Sequence, residues 1–418
     1  MPGPSCPSAK QPETILSRRQ FVGASLAMAL VACFPRQTAA QPKKLVLRSS
    51  WQTVNIGDIA HTPGMLALLE KYLPDTEITL WPNKLNAEVE QILTTRFPKL
   101  KIAATSEQQH AALAECDFFL HGSGPGVVGA KELKLAQEAG KPYGIGGITL
   151  SDGEIKNHRE LFAGAKFICL RDTDSLKALQ ASGFSGPPVT FGPDATFALD
   201  IKDDAAAEKL LKEHNLESGK FLCAILRLRW TPYWEIRPES RKPDPEKIKV
   251  NEQFAEVDHA KLREGITAWV RQTGMRVFIV PEMTYAVALQ RPLLFDKLPD
   301  DVKPQVVMLD RYWYTAEANS VYARAAAILS SEQHSPIMAI ANGTPAVLVR
   351  QPTDTRKGQM WHDVGLHDWI FEIDQTTGAQ IAERVVQIGK DLPAARAYAA
   401  KARDTAQAAM KAMVSNVG

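Results

Sequence analysis

With 418 residues, the chain is too long for one ordinary domain and long enough for two. Its hydrophobic content of 45% and charged content of 23% are typical of a globular protein and exclude a disordered one. The net charge is +2, and lysine and arginine are scattered along the chain. No partner bound through bulk charge is therefore expected, neither nucleic acid nor a membrane surface.

The five cysteines form no CxxC pair, so the sequence predicts neither a zinc site nor a redox motif. Cys116, Cys169 and Cys223 lie in or beside apolar strands and are expected to be buried thiols. No cofactor and no metal ligands are predicted from the sequence.

Residues 1–40 are predicted to be an export signal rather than part of the fold. Arg18 and Arg19 precede an uncharged apolar run, Phe21 to Phe34, which is too short to span a bilayer comfortably. The arginine pair resembles the signal of the twin-arginine export route. The mature protein is therefore expected in the periplasm or the cell envelope.

Two cleavage positions are open for this signal. Small residues ending at Ala40 fit the ordinary signal peptidase. The segment that ends at Cys33 resembles a lipoprotein box, which would leave that cysteine lipidated. Cleavage after Ala40 is slightly preferred, and no other stretch reaches transmembrane length.

The first folded domain is predicted at residues 44–200, where strands alternate with helical patterns as in a parallel sheet covered on both faces. A helix is expected after the turn at 55–58, with Asp58 as its N-cap. Composition becomes polar at 200–204, which predicts the domain boundary. The strands are predicted at 44–48, 78–81, 117–120, 142–145, 166–170 and 189–194.

A second alternating domain is predicted at residues 205–374. Residues 230–251 are rich in proline and charge and are interpreted as a loop over a site. Residues 375–418 are predicted to be a helical tail with a break near Pro393, packed across the two halves or against the second. Strands are predicted at 221–226, 276–280, 306–309, 346–349 and 369–373, and another ends at Leu329.

Glycine and arginine follow two strands of the first half. Gly122 and Gly124 lie in a glycine-rich loop, which either lets the backbone approach a ligand or is a plain flexible turn. This loop does not match the dinucleotide fingerprint, so NAD is not predicted. Arg171 can bind a carboxylate or phosphate, or can form a surface ion pair with Asp172 or Asp174.

His334 lies where a strand gives way to a helix. Ser335 fits the N-cap, Pro336 the first helical position, and Gly343 the residue just past the helix end. Unpaired backbone N–H groups and the positive end of the helix dipole favour an anionic ligand there. The alternative is that His334 only packs or caps.

Four segments of the chain, spread from about Arg48 to Ile373, resemble the polysaccharide pyruvyl transferase family in their order and spacing. Two alternating halves with a cleft between them also resemble the GT-B glycosyltransferases. The expected fold is therefore α/β, with two Rossmann-like parallel-sheet halves facing across a cleft. The four segments are Asn55–Asp58, Arg171–Ser175 with Asp194, the strand into Arg227, and His334 with Ile337, Ala339, Gly343 and Pro345.

The resemblance implies transfer of a pyruvyl group from phosphoenolpyruvate to a sugar of a surface polysaccharide, which forms a cyclic ketal. The phosphate and carboxylate of such a donor require arginine or lysine partners, and ketal formation requires a proton donor and a base. The residues implied are His334 as acid or phosphate contact, Arg227 for the donor, Arg171, Arg229 and Lys357 as further donor contacts, and Asn55 and Asp58 on the acceptor side.

The sequence departs from the family pattern at two places. Glu332 and Gln333 stand where the family usually has arginine and leucine, and His121 stands where it usually has glycine. Phosphoenolpyruvate is also a cytoplasmic metabolite, whereas export is predicted here. Two alternatives are therefore kept: a nucleotide-sugar glycosyltransferase on the same fold, and a non-catalytic exported glycan-binding protein. No oligomeric state is predicted.

Overall fold

The computed structural model describes residues 43–418. The predicted export signal, Cys33 and both cleavage positions lie outside these residues. The described chain forms two parallel β-sheets with helices between successive strands, one sheet of seven strands and one of six. This confirms the predicted α/β fold with two Rossmann-like halves. The domain boundary near residue 200 stays a prediction.

The first sheet has the strand order β3-β2-β1-β4-β5-β6-β7, and each neighbouring pair is parallel. Its strands are β1 (Lys44–Ser49), β2 (Glu77–Pro82), β3 (Lys101–Ile102), β4 (Phe118–His121), β5 (Tyr143–Ile148), β6 (Ile168–Leu170) and β7 (Val189–Phe191). Its helices are α1 (Ile56–Tyr72), α2 (Ala87–Arg96), α3 (Ser106–Glu115), α4 (Ala130–Glu138), α5 (Asp152–Asn157), α6 (Arg159–Gly164) and α7 (Thr173–Ala181).

The sequence analysis does not predict the edge strand β3 or the helices α2 and α3. Strand β3 has two residues, and α2 buries only Val89 and Leu93. Helix α3 buries only Leu113. Elements that cover so little of the core carry no clear apolar stripe, so hydrophobic periodicity does not reveal them.

The second sheet has the strand order β10-β9-β8-β11-β12-β13, again with parallel neighbours. Its strands are β8 (Phe221–Ile225), β9 (Arg276–Ile279), β10 (Val306–Met308), β11 (Ala327–Ser330), β12 (Ala346–Arg350) and β13 (Ile370–Glu372). Its helices are α8 (Asp204–Glu213), α9 (Tyr233–Ile236), α10 (Pro245–Thr273), α11 (Ala286–Leu293), α12 (Thr315–Arg324), α13 (His334–Ala341) and α14 (Gln359–Asp363). The central strands β8 and β11 are buried throughout, because helices cover both faces of the sheet.

The interpretation of residues 230–251 as a loop is wrong in part. Helix α9 lies inside this segment, and α10 already begins at Pro245. The Asp244 side chain accepts a hydrogen bond from the backbone N–H of Lys247 at 3.2 Å, and a proline opens the first turn. The first turns of α10 are exposed or half-buried, so their composition resembles that of a loop.

Helix α1 is capped by Asn55. The sequence predicts Asp58 as the cap, and this prediction is wrong. The Asn55 Oδ1 atom accepts hydrogen bonds from the backbone N–H of Gly57 at 2.7 Å and of Asp58 at 3.2 Å. Asp58 therefore lies in the first turn, and its carboxylate is free for other contacts.

Helix α13 begins at His334 itself, so Ser335 and Pro336 lie in its first turn and not at the predicted cap positions. Ser335 does not cap the helix because its backbone N–H and hydroxyl both donate to Glu282, each at 2.7 Å. Gly343 follows the helix with a φ of 75°, the left-handed conformation predicted for that position.

The C-terminal tail consists of α15 (Gly378–Lys390) and α16 (Leu392–Val414), and the predicted break lies between them. Helix α15 packs along α10, whereas α16 packs on α1 and β7 of the first half. The tail thus packs across both halves, one of the two expected arrangements. Among residues 43–418, no helix is both long and apolar enough to cross a membrane. The three cysteines of this range are buried free thiols, as predicted.

The two halves meet at the start of α1. The backbone N–H of Ile56 donates to the carbonyl of Glu282 at 3.1 Å, and the Thr315 hydroxyl donates to the carbonyl of Ile56 at 2.7 Å. Gly57 lies directly against His334, since a Cβ at Gly57 would be 2.0 Å from the Cβ of His334. A side chain at this glycine would therefore force α1 and α13 apart.

Gly57→Ala is expected to lower the free energy of unfolding by about 2 kcal/mol, because overpacking outweighs the better helix propensity of alanine. The control is Gly153→Ala in the exposed helix α5, where the nearest atom to a new Cβ is 4.0 Å away. This control should raise stability by up to about 1 kcal/mol. Urea unfolding of both variants measures the difference, and equal effects would contradict the close approach of the two helices.

Candidate functional site

Polar residues collect at the carboxyl ends of the central strands. In the second half, Arg227 follows β8, Glu282 follows β9, and Glu332 and His334 follow β11. Strands β8 and β11 are neighbours at the point where the strand order reverses, which is where open α/β sheets bind ligands. The first half contributes Asp58, His61, Arg171 and Asp194.

His334 and Glu282 form a buried pair. The Nδ1 atom of His334 lies 3.1 Å from Oε1 of Glu282, and its Nε2 lies 3.9 Å from Oδ2 of Asp194. Burial alone would lower the pKa of His334, but the hydrogen bond and charge of Glu282, with the charge of Asp194, raise it above its ordinary 6.5. Burial alone would raise the pKa of Glu282 as well. Hydrogen bonds from His334 and Ser335, with the charge of His334, outweigh burial and lower this pKa below its ordinary value.

Asp194 is the corresponding buried carboxylate of the first half. Its Oδ2 accepts a hydrogen bond from Arg171 at 2.8 Å, and its Oδ1 lies 2.9 Å from Nδ1 of His61. Burial opposes its ionisation, but His61, Arg171 and His334 together hold its pKa well below the usual range. Asp194 is therefore an anion on which three basic side chains converge.

Arg171 is buried and does not form the surface ion pair that was one of its two interpretations. Its Nε donates to the hydroxyl of Thr149 at 2.7 Å, in addition to the Asp194 contact. Asp172 instead caps α7, accepting from the backbone N–H of Ser175 at 2.6 Å. Asp174 forms an exposed pair with Lys177.

Arg227 is the centre of a second charged cluster. It donates a hydrogen bond to Asp354, and its Nε lies 3.7 Å from Oε2 of Glu332. The Nζ atom of Lys357 lies 3.7 Å from Asp354 on the other side. Burial, followed by the charges of Arg227 and Arg171, lowers the pKa of Lys357, although Asp354 raises it. The structure thus brings together two of the predicted donor contacts, Arg227 and Lys357, on one carboxylate.

Glu332 is a buried carboxyl group beside Arg227. Burial and the nearby charge of Glu282 raise its pKa to about 8, against the opposing effect of Arg227 and Lys357. Its Oε1 has no hydrogen-bond partner within residues 43–418. The first departure from the family pattern thus places a carboxyl group with a raised pKa beside Arg227.

Arg229 lies apart from the Arg227 cluster. It donates to both carboxylate oxygens of Asp258 in α10, at 2.8 and 2.9 Å, and pairs with Asp374. Its guanidinium carbon lies 3.5 Å from the ring centre of Phe254. These partners explain the position of Arg229 without a ligand.

The glycine-rich loop packs on its own half. A Cβ at Gly124 would lie 2.5 Å from Nε1 of Trp51, so the close approach here is to an indole ring. His121 is buried and donates from Nδ1 to the carbonyl of Gly122 at 2.9 Å, while its Nε2 accepts from the backbone N–H of Gly129 at 3.1 Å. Burial lowers the pKa of His121 to about 3, so it is neutral and holds the loop in place.

Sequence reasoning missed three residues of the site: His61, Glu282 and Asp354. The sequence contains one indication that His61 belongs to the site: it follows Asp58 by three residues, so the two side chains lie on the same face of a helix. Glu282 lies three residues after β9, at the sheet edge where the other polar residues lie. Asn55, a predicted acceptor residue, caps α1 and lies 3.5 Å from Glu282 through its Nδ2.

The fold is similar to that of a UDP-glucose-dependent glucosyltransferase and of nucleotide-sugar epimerases among solved structures. Anabaena Alr3699/HepE, solved in complex with UDP, has a TM-score of 0.55 at 12% identity, covering 90% of this chain and 97% of that one. The UDP-GlcNAc 2-epimerase of Neisseria meningitidis, bound to UDP-GlcNAc, has a TM-score of 0.56 at 11% identity, covering 89% and 98%. At such identities the likeness concerns the fold alone.

The chain belongs to the polysaccharide pyruvyl transferase family, whose sequence profile matches residues 55–351, more than half of its length. The match spans both halves and includes Arg171, Arg227 and His334. No curated protein matches the sequence significantly. The family and the fold place the chain among enzymes of the transferase type.

Asp354→Asn is expected to destabilise the protein at neutral pH and much less in acid. Burial opposes ionisation of Asp354, but Arg227 and Lys357 lower its pKa from 3.8 to about 2. A carboxylate with a lowered folded pKa stabilises the fold above about pH 4, here by about 2 kcal/mol, and this contribution disappears as the pH falls towards 2.

Denaturant unfolding of the wild type and variant at pH 6 and pH 2.5 measures this effect. The matched control is Asp174→Asn, which removes the exposed pair with Lys177 and should change stability little at either pH. A loss in Asp354→Asn that stays equal at both pH values would show that Arg227 does not stabilise this carboxylate.

Proposed function

We propose that this protein is a pyruvyl-transferase-like enzyme, which transfers the pyruvyl group of phosphoenolpyruvate or a related anionic donor to a sugar of a cell-surface polysaccharide. The observation that carries the proposal is the cluster of Arg227, Lys357 and Glu332 beside His334, at the strand-order reversal of a chain from this family. This position is the usual ligand crevice of such sheets.

The cluster suits a donor with more than one negative charge. Side-chain exposure is 12% for Arg227 and 16% for Lys357, so both cations are largely removed from water yet reachable. Asp354 is their shared carboxylate partner. Burial and neighbouring positive charge lower the pKa of Lys357, and a phosphate or carboxylate would relieve both effects.

The reaction requires a proton for the methylene carbon of the donor and a base for the sugar hydroxyl. Two side chains of the site have raised pKa values, His334 through Glu282 and Asp194 and Glu332, to about 8, through burial, and these are the candidates for the proton donor. Both lie at the end of β11, next to the proposed donor cations. This chain thus holds a proton source where the family pattern has an arginine.

A cavity of 620 Å³ opens on the other side of Arg227 and fits an acceptor sugar. Aromatic rings provide flat faces for sugar rings, and cations suit an acidic saccharide. Its lining includes Trp230, Tyr233, Trp234, Arg241, Lys242 and Lys247.

The second candidate function is transfer from a nucleotide sugar. It is supported by the likeness in fold to proteins solved with UDP or a UDP-sugar. The two candidates predict different donors, phosphoenolpyruvate in one case and a uridine nucleotide in the other.

Phosphoenolpyruvate is expected to raise the melting temperature of the full chain, and UDP, UDP-glucose and pyruvate are not. A ligand at 100 times its dissociation constant stabilises the folded state by about 2.7 kcal/mol. Arg227→Ala should abolish the shift because the donor loses its principal cation. Lys357→Met serves as a second variant, in case Arg227→Ala fails to fold.

The matched control is Arg271→Ala, which removes an arginine from an exposed ion pair with Asp301 and should keep the shift. Stabilisation by UDP or UDP-glucose alone would favour the glycosyltransferase. A response to oligosaccharides with none to any donor would leave only the non-catalytic glycan-binding protein.

We also propose that residues 1–40 direct export by the twin-arginine route. Arg18→Lys combined with Arg19→Lys should leave the protein in the cytoplasm, because this route reads the arginine pair. The control is Arg36→Lys, outside the pair, which should leave export unchanged. Fractionation followed by immunoblotting measures the distribution, and unimpaired export of the double variant would contradict the proposal.

A further inference from the structure

We propose that Asp58, His61 and His334 form a binding site for one divalent transition-metal ion between the two halves. One carboxylate oxygen and one nitrogen from each ring lie within 4.8 Å of one another, and all three residues are buried. The sequence contains no zinc-binding motif for this site, because two of the ligands lie on α1 and the third on α13.

The hydrogen bonds of the two histidines leave the same ring nitrogen available in each. Both histidines have a carboxylate oxygen at hydrogen-bond distance from Nδ1, and such an oxygen accepts from a ring N–H. The Nδ1–H of His61 therefore donates to Asp194 at 2.9 Å, and the Nδ1–H of His334 donates to Glu282 at 3.1 Å. In the neutral form of each ring, Nε2 carries a free lone pair.

This arrangement is the one that metal-binding histidines commonly have, with a carboxylate fixing the far ring nitrogen. The Nε2 atom of His61 is buried and has no hydrogen-bond partner in the described part of the chain. A buried nitrogen without a partner is costly unless a ligand satisfies it. A cation shared with Nε2 of His334 would satisfy it.

The two rings are already close to a coordinating geometry. Their centres are 5.2 Å apart and their planes are nearly perpendicular, at 83°. A tetrahedral ion with bonds of about 2.1 Å holds neighbouring ligand atoms about 3.4 Å apart, so a pair of ligand atoms that is now 4.8 Å apart would approach by about 1.4 Å. The carboxylate of Asp58 accepts a hydrogen bond from the side-chain amide of Gln52.

The local charge also favours a cation. Three carboxylates surround the two rings, namely Asp58, Asp194 and Glu282, and within residues 43–418 Arg171 is the one arginine that pairs with any of them. A divalent ion would offset this excess of negative charge. Two imidazoles and one carboxylate suit zinc, cobalt, manganese or iron, and leave open positions for a ligand.

The site joins the halves across their junction, because Asp58 and His61 belong to the first half and His334 to the second. The inference does not depend on the donor of the proposed reaction, since the ligand atoms and their partners define the site by themselves. If the proposed function holds, an ion here would act beside the Arg227 cluster and would bind anionic oxygen at its open positions.

The test uses the full chain after removal of metal with a chelator. Equilibrium dialysis followed by elemental analysis is expected to give one Zn²⁺ per chain. Co²⁺ is expected to produce visible d–d absorption that Zn²⁺ abolishes, and Zn²⁺ should raise the melting temperature. His61→Ala and Asp58→Asn should each weaken Zn²⁺ binding by about 100-fold or more, a larger effect than loss of an outer hydrogen-bond partner.

The control is His362→Ala, which removes one member of an exposed histidine pair with His367 and should leave Zn²⁺ binding unchanged. Asp58→Asn keeps the shape of the side chain. If His61→Ala fails to fold, Zn²⁺ binding by Asp58→Asn and the Co²⁺ spectrum of the wild type still test the metal site. Absence of a stoichiometric ion would overturn the proposal. Binding that survives in Asp58→Asn, or that is lost in His362→Ala, would overturn it as well.

Discussion

The buried carboxylate of Glu282 is the contact on which the arrangement of this cleft depends. It accepts hydrogen bonds from His334 and from the backbone and hydroxyl of Ser335, which fixes the first turn of α13. The backbone carbonyl of the same residue accepts from Ile56, at the start of α1 in the other half. One residue at the end of β9 therefore orients the central histidine and joins the two halves. A buried anion with several donors is expensive to disrupt, since loss of one donor leaves part of its charge unsatisfied.

The cleft separates two kinds of charge. Around His61 and His334, carboxylates exceed arginines and fix the ring orientations. Around Arg227 and Lys357, two cations lie close together, and the pKa values of the local carboxyl groups shift in opposite directions, down for Asp354 and up for Glu332. Such a division suits the proposed binding of an anion at the Arg227 cluster and of a cation at the two histidines.

Much of the fold could be predicted because parallel strands buried on both faces leave continuous apolar runs, as in β8 and β11. The two-residue edge strand β3 and the exposed start of α10 could not be predicted, because they bury too few side chains to show a periodic hydrophobic pattern. Within the site, Arg227 and His334 stood out because each directly follows an apolar strand. His61 did not, because its importance comes from Asp194 and His334, which are far from it in sequence and meet it only after folding.

The same limit explains why the departure from the family pattern at Glu332 could be noticed but not interpreted from sequence. A glutamate in place of arginine suggests a loss of donor-binding charge at that corner. The structure shows that Arg227 and Lys357 already supply positive charge there, and that burial and Glu282 raise the pKa of Glu332. The substitution therefore exchanges a third cation for a carboxyl group with a raised pKa and leaves the anion-binding character of the cluster in place. Whether a residue is a charge or a proton source is a property of its surroundings, which the residue type alone does not determine.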